Sequence, residues 1–199
     1  MQFTTKTLLA IMAIGTTAGC TGSNPCDNNF APVAYRDMTI CVSCDYYSNE
    51  GIRLPLDLDE AYKEADRRNM ILPTPDMVDA IYENADLKLD PRPLPPSPSM
   101  TTMPDFRKHD RIVDAQIRKR LDGRSSDNLL IAGQKKDLVA VSRNSPTVAI
   151  YGWHRRNGVP IQPYNARDHD RNYKDYSHGV RFVSPIAYKN GVKINLDRH

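Results

Sequence analysis

The apolar residues change their period once along this 199-residue chain, and that change decides its fold class. From Leu129 onward they come in short runs with a period of two: Leu129-Leu130-Ile131-Ala132, Leu138-Val139-Ala140-Val141 and Val148-Ala149-Ile150-Tyr151. Asn157-Gly158 and Asn190-Gly191 sit where hairpin turns would join such strands. Upstream the spacing is helical. Asp57 to Ala65 combines good helix formers with acids in the first turn, and the helix should stop before Pro73. Thr74-Pro75-Asp76 restarts one, with Thr as N-cap and Pro where its missing N–H costs nothing, and Met77, Val78, Ile81 and Ala85 then share a face. A third helix, roughly 104–122, buries Phe106, Val113, Ile117 and Leu121 and turns Arg111, Arg118, Lys119 and Arg120 to solvent. Asp122-Gly123 ends it. The prolines of residues 90–104 predict an extended, semi-rigid connector before it. A β-branched stretch at 37–44 adds one early strand. Helices first and strands last predict an α+β domain, with N-terminal helices packed on a mostly antiparallel C-terminal sheet.

The first nineteen residues read as a secretory signal peptide. Lys6 supplies the basic start, and Leu8 to Gly15 is an apolar run too short to span a bilayer. Thr17-Ala18-Gly19-Cys20 resembles the lipobox of bacterial lipoproteins, with Thr where that family usually has Leu. The resemblance implies lipidation of Cys20 and a tether to a membrane surface. Residues 20–34 are rich in turn formers and read as flexible tether, leaving residues 35–199 as one globular domain. Taking Lys6 from the 27 basic residues leaves 26 against 24 acidic ones, a net +2 that gives no argument for a nucleic-acid partner. For an exported chain the expectation is a disulfide from Cys26 to Cys41 or to Cys44. Cys41-Val42-Ser43-Cys44 has redox or zinc spacing, but it lies on a predicted strand and has no second half, which argues against both roles.

Residues 151–181 are chemically unlike the rest, with three of the five histidines, the only tryptophan and three aspartates. Two mechanisms could use them. His154, His169 and His178, with an aspartate, are candidate zinc ligands whose open position would acidify a water. Alternatively His178 is a general base oriented by Asp175, activating Ser177 or water, with Arg181 holding an anionic substrate group. Neighbours on a strand point apart, which favours water over Ser177. A bland reading stands beside both: Asp, His, Arg and Tyr satisfying one another around an irregular loop. His109, near the apolar face of the third helix, ranks below these as ligand or base.

Tyr176-Ser177-His178-Gly179-Val180-Arg181, with His154 upstream, resembles the site of the L,D-transpeptidase (YkuD) family of peptidoglycan cross-linking enzymes. That family's nucleophilic cysteine is missing here and Arg155 stands where its glycine would follow His154, so transpeptidation is not expected. A wider resemblance, carried by Leu72 to Tyr82, the connector into Met100-Thr101-Thr102, Ala132 to Asp137 and the 151–183 block, is to a group of exported bacterial proteins. It implies export and one domain and supplies no reaction; that group is expected to carry His in place of Gln134. The reading is an exported, lipid-anchored envelope protein, in the periplasm or at the cell surface, whose His/Asp/Arg site hydrolyses peptidoglycan or another anionic envelope polymer. The alternative is a non-catalytic binding or scaffold protein of the envelope or of a phage particle. The sequence leaves open whether the chain is an enzyme.

Overall fold

A computed structural model describes residues 25–27, 29–165 and 169–197. Their three α-helices and twelve strands make an α+β fold of mostly antiparallel sheets. Cys20 and the signal segment lie outside the described residues. Among those described, no helix is long and apolar enough to cross a membrane.

The first and last strands share a sheet. β1 (Phe30–Tyr35) and β2 (Met38–Ser43) form a hairpin in register from Phe30↔Ser43 to Tyr35↔Met38. β2 also pairs with β11 (Val183–Lys189), which carries β12 (Val192–Asn195), giving the antiparallel order β1-β2-β11-β12. The tether therefore ends earlier than residue 34. Ala31, Val33 and Tyr35 alternate inward on β1, a pattern the turn formers before it and Pro32 obscure. Pro32 is tolerated because β1 is an edge strand. A disulfide joins Cys26, just before β1, to Cys41 on β2, with Cα atoms 5.5 Å apart, while Cys44 keeps a free thiol. The turn between β11 and β12 is the expected Asn190-Gly191, both residues at positive φ.

A second sheet has the order β10-β7-β8-β9, built from β7 (Lys136–Leu138), β8 (Ile150–His154), β9 (Pro160–Asn165) and β10 (His178–Gly179). β10 runs parallel to β7 and the other pairs are antiparallel. Two small pairs complete the strands: β3 (Ser48–Asn49) with β4 (Ile52–Arg53), and β5 (Leu87–Lys88) parallel to β6 (Ile131–Ala132).

The helices form where capping and spacing ask for them. α1 (Leu58–Arg67) starts in a reciprocal box, the Asp57 carboxylate accepting from the Glu60 N–H and Glu60 accepting from the Asp57 N–H. It packs Leu58, Ala61, Tyr62 and Ala65 on Leu138, Val148, Ile150 and Phe182. α2 (Pro75–Asn84), capped by Thr74, touches both sheets. Met77 and Ile81 join the core over β1 and β2, and Val78 packs with Val139 and Ala149. α3 (Met103–Leu121) buries the four predicted apolar residues and ends at a left-handed Asp122 and Gly123. The proline-rich connector is docked: the Tyr176 phenol accepts from the Leu94 N–H at 2.8 Å and donates to the Leu94 carbonyl at 3.2 Å.

Candidate functional site

Gln134-Lys135-Lys136-Asp137 looks like surface sequence, yet the fold buries Gln134, Lys135 and Asp137. The parallel ladder sets His178 beside Lys136 and Gly179 beside Asp137, and the Lys136 N–H donates to the Ser177 carbonyl at 2.8 Å. The predicted residues Asp175, Ser177, His178 and Arg181 all enter this interior. Burying so much polarity is costly unless each group finds a partner.

Asp175 is the hub. It accepts from the Ser177 N–H at 2.7 Å, from Ser177 Oγ at 2.5 Å and from the Tyr173 hydroxyl at 3.1 Å. Burial by itself would favour the neutral acid, but His178 and the Ser177 donors hold the carboxyl below its usual range. His178 Nε2 stands 3.8 Å from Asp175 Oδ2, too far for a hydrogen bond, and neither ring nitrogen has a hydrogen-bond partner among the described residues. Burial pulls the His178 pKa well down against Asp175, with Lys136, His169 and Lys135 acting in the same direction as burial. The ring is therefore a neutral base at physiological pH. Its nearest aromatic neighbours are half-exposed: His169 and Tyr173 stack at 3.9 Å, their rings 6.4 and 5.6 Å from His178.

Two of the roles expected from the sequence shift once the partners are visible. Ser177 Oγ donates to Asp175 and not to His178, so it positions the carboxylate and is not placed as a nucleophile. Arg181 does not face a substrate. Its Nη1 donates to the Ser43 carbonyl and Nη2 to the Ile131 carbonyl, both at 2.6 Å; Nε lies 3.8 Å from Asp137, and the guanidinium covers the Tyr46 ring at 4.4 Å. The Tyr46 hydroxyl donates to Asp137 at 2.8 Å. Burial, outweighing Arg181 and Tyr46, lifts the Asp137 carboxyl to about 6. Next to this trio Gln134 donates to Asp45, and Arg53 reaches Asp45, Asp110 and Asp114.

His154 belongs to a separate group. Its Nε2 is 2.8 Å from Asp79 Oδ1, Asp79 also accepts from the Tyr151 hydroxyl at 2.9 Å, and the ring stacks on Tyr82 at 4.5 Å. Within β8, Gly152 lies at φ +94° and Trp153 at φ +53°. A tryptophan in the left-handed region costs ~1–3 kcal/mol, so this strained turn is held by its surroundings and fixes where His154 points. Strand β7 lies between β8 and β10, which keeps the His154 and His178 backbones at least about 10 Å apart. Among the described residues no three His, Cys, Asp or Glu side chains are arranged to hold a metal ion, so His154, His169 and His178 do not form the candidate zinc set.

Lys135, Asp137, Tyr46, Tyr173 and Asp79 were not singled out by the sequence. The one available signal was the polar quartet 134–137 set between two apolar runs. Lys135 makes that quartet testable. Buried, its ammonium donates to the Tyr176 carbonyl at 2.7 Å, and burial, with Arg53 adding to it against Asp110 and Asp175, lowers its pKa to about 8. Between that value and the unfolded value of 10.5 the unfolded chain binds the extra proton, so stability rises with pH across this window and is lost as pH falls through about 8. In urea titrations, the stability of wild type relative to Lys135→Met should climb by up to ~1.4 kcal/mol per pH unit between these limits. Comparing the two proteins cancels the tyrosines. A difference that stays flat with pH would mean Lys135 is not buried as a charged group.

No family profile, curated protein or solved structure matches the chain, so the site has to be read from its own geometry.

Proposed function

We propose that this chain is an exported envelope protein, tethered to a membrane through lipid on Cys20, which hydrolyses peptidoglycan or another anionic envelope polymer with His178 as general base. The observation that carries the proposal is the His178 imidazole: neutral, with both nitrogens unpartnered among the described residues, beside an ionised Asp175 fixed by three donors. Interiors rarely leave such atoms unpaired, and the exceptions call for an explanation in chemistry or bound water. In this reading Asp175 orients the developing imidazolium, Ser177 and Tyr173 hold Asp175, and a water on His178 attacks the substrate. His178 itself is fully buried, so the packing around it must open for substrate to reach it.

That same burial favours a second reading, a non-catalytic binding or scaffold protein of the envelope or of a phage particle, because Ser177 and Arg181 are already engaged with the fold. Purified sacculi separate the two. Wild type should release soluble muropeptides, and His178→Asn should lower the rate by about 100-fold or more while circular dichroism shows the fold retained. His154→Asn, one strand removed from the base, should lower it far less. No release by wild type, or release unaffected by His178→Asn, would favour the scaffold. Mass spectrometry of the mature N-terminus tests Cys20 separately.

A further inference from the structure

The outer face of α3 carries Arg107, Lys108, Arg111, Arg118 and Lys119, all exposed. At 100° per residue they fall within an arc of about 120°, and they run about 18 Å along the axis. Among the described residues none of the five side chains makes an ion pair or a hydrogen bond, and all five share one helix face. Several exposed cations elsewhere are matched, Arg36 with Asp76, Arg143 with Asp66 and Lys189 with Asp37, whereas Lys63 on α1 and Lys193 on β12 are exposed and unmatched but do not belong to a row. The helix's own acids are spent elsewhere, Asp105 accepting from Ser99, and Asp110 and Asp114 pairing with Arg53. The result is a row of five unmatched positive charges on a chain whose formal charge is only +3.

The geometry points to a docking surface for an anionic phospholipid bilayer. A rigid, one-signed row complements a plane of negative head groups, each cation adding to adsorption that salt screens. The row offers no apolar wedge beyond Met103 at the start of the helix, so the contact is adsorption and not insertion. The occupant is a membrane, in preference to a soluble polyanion, because of where the chain leads. Cys26 is pinned to β2 by its disulfide, and the six peptide links from Cys20 to Cys26 span at most ~22 Å. A lipid on Cys20 would thus hold the domain close to a bilayer, and α3 would decide which face it presents. This last step rests on the lipid-anchor reading, whereas the charge row does not.

The experiment uses the unacylated chain beginning at Cys20, so that only the row can bind. In vesicle co-sedimentation it should prefer vesicles with about 30% phosphatidylglycerol over pure phosphatidylcholine by at least about tenfold, and should release in about 0.5 M salt. Arg111→Glu with Arg118→Glu should abolish the preference without shifting the melting temperature, while Lys193→Glu, on β12, should leave it. Equal binding to both vesicles, binding unchanged by the double reversal, or tighter binding to soluble heparin than to the anionic vesicles would each overturn the proposal. Because no acyl group is present, a failed lipid anchor leaves this result standing, and a failed row leaves the anchor standing.

Discussion

Arg181→Leu is expected to cost ~3–5 kcal/mol of folding stability, the range for orphaning one member of a buried ion pair. The guanidinium is fully buried and joins four parts of the fold: Ser43 on β2, Ile131 on β6, Asp137 on β7 and the ring of Tyr46. A leucine fills much of the volume but leaves the Ser43 and Ile131 carbonyls without this donor and the buried Asp137 carboxylate without its neighbouring cation. The pH dependence identifies the cause. Asp137 already titrates near 6 with Arg181 beside it, and losing that cation raises the value further. A group whose folded pKa is raised gives stability that is present at low pH and lost as pH rises through the folded value, so the variant should be hurt less at pH 5 than at pH 8. Adding Asp137→Leu should recover part of the loss at pH 8, because the uncompensated charge is gone. Urea denaturation at both pH values reads all three outcomes; a loss below about 1 kcal/mol that ignores pH would show that Arg181 is solvated after all.

What could be read from the sequence was whatever a few neighbouring residues decide. Thr74 caps a helix because the N–H it satisfies is three residues away. Asn190-Gly191 turns because its own backbone favours it. Asp175 and His178 meet because they are three apart on one loop. The misses depend on distant pairing. β1 became a strand through β2, and its sheet was completed by residues near the C-terminus. His154 and His178 look like partners by composition, yet the strand order places β7 between them. Lys135 and Asp137 are polar letters that mark solvent in isolation; only Tyr176, Tyr46 and Arg181, each some forty to ninety positions away in sequence, make them interior.

Gly179→Ala should destabilise the fold by ~3 kcal/mol or more, at or beyond the usual range for overpacking. No strained backbone is involved, since Gly179 is not among the glycines at positive φ. The obstacle is space: a Cβ there would lie 2.5, 2.7 and 2.9 Å from Cδ1, Cε1 and Cγ of Tyr46. That ring cannot swing away cheaply. Its hydroxyl is bonded to Asp137 and the Arg181 guanidinium lies across it, so moving it disturbs the same buried trio. Gly191, with open space around its Cβ and only its φ of +77° to oppose alanine, should tolerate the same change at a cost of about 1 kcal/mol. Tyr46→Ala provides the decisive background. With the ring gone, the added methyl meets no obstacle, so Gly179→Ala should become nearly neutral there, giving a coupling of ~2–3 kcal/mol in a double-mutant cycle. If Gly179→Ala costs as much without the Tyr46 ring as with it, the glycine serves the backbone of β10 instead. If the coupling appears, the residue after His178 is glycine to make room for Tyr46, and through Tyr46 it fixes the carboxylate of Asp137 against Arg181.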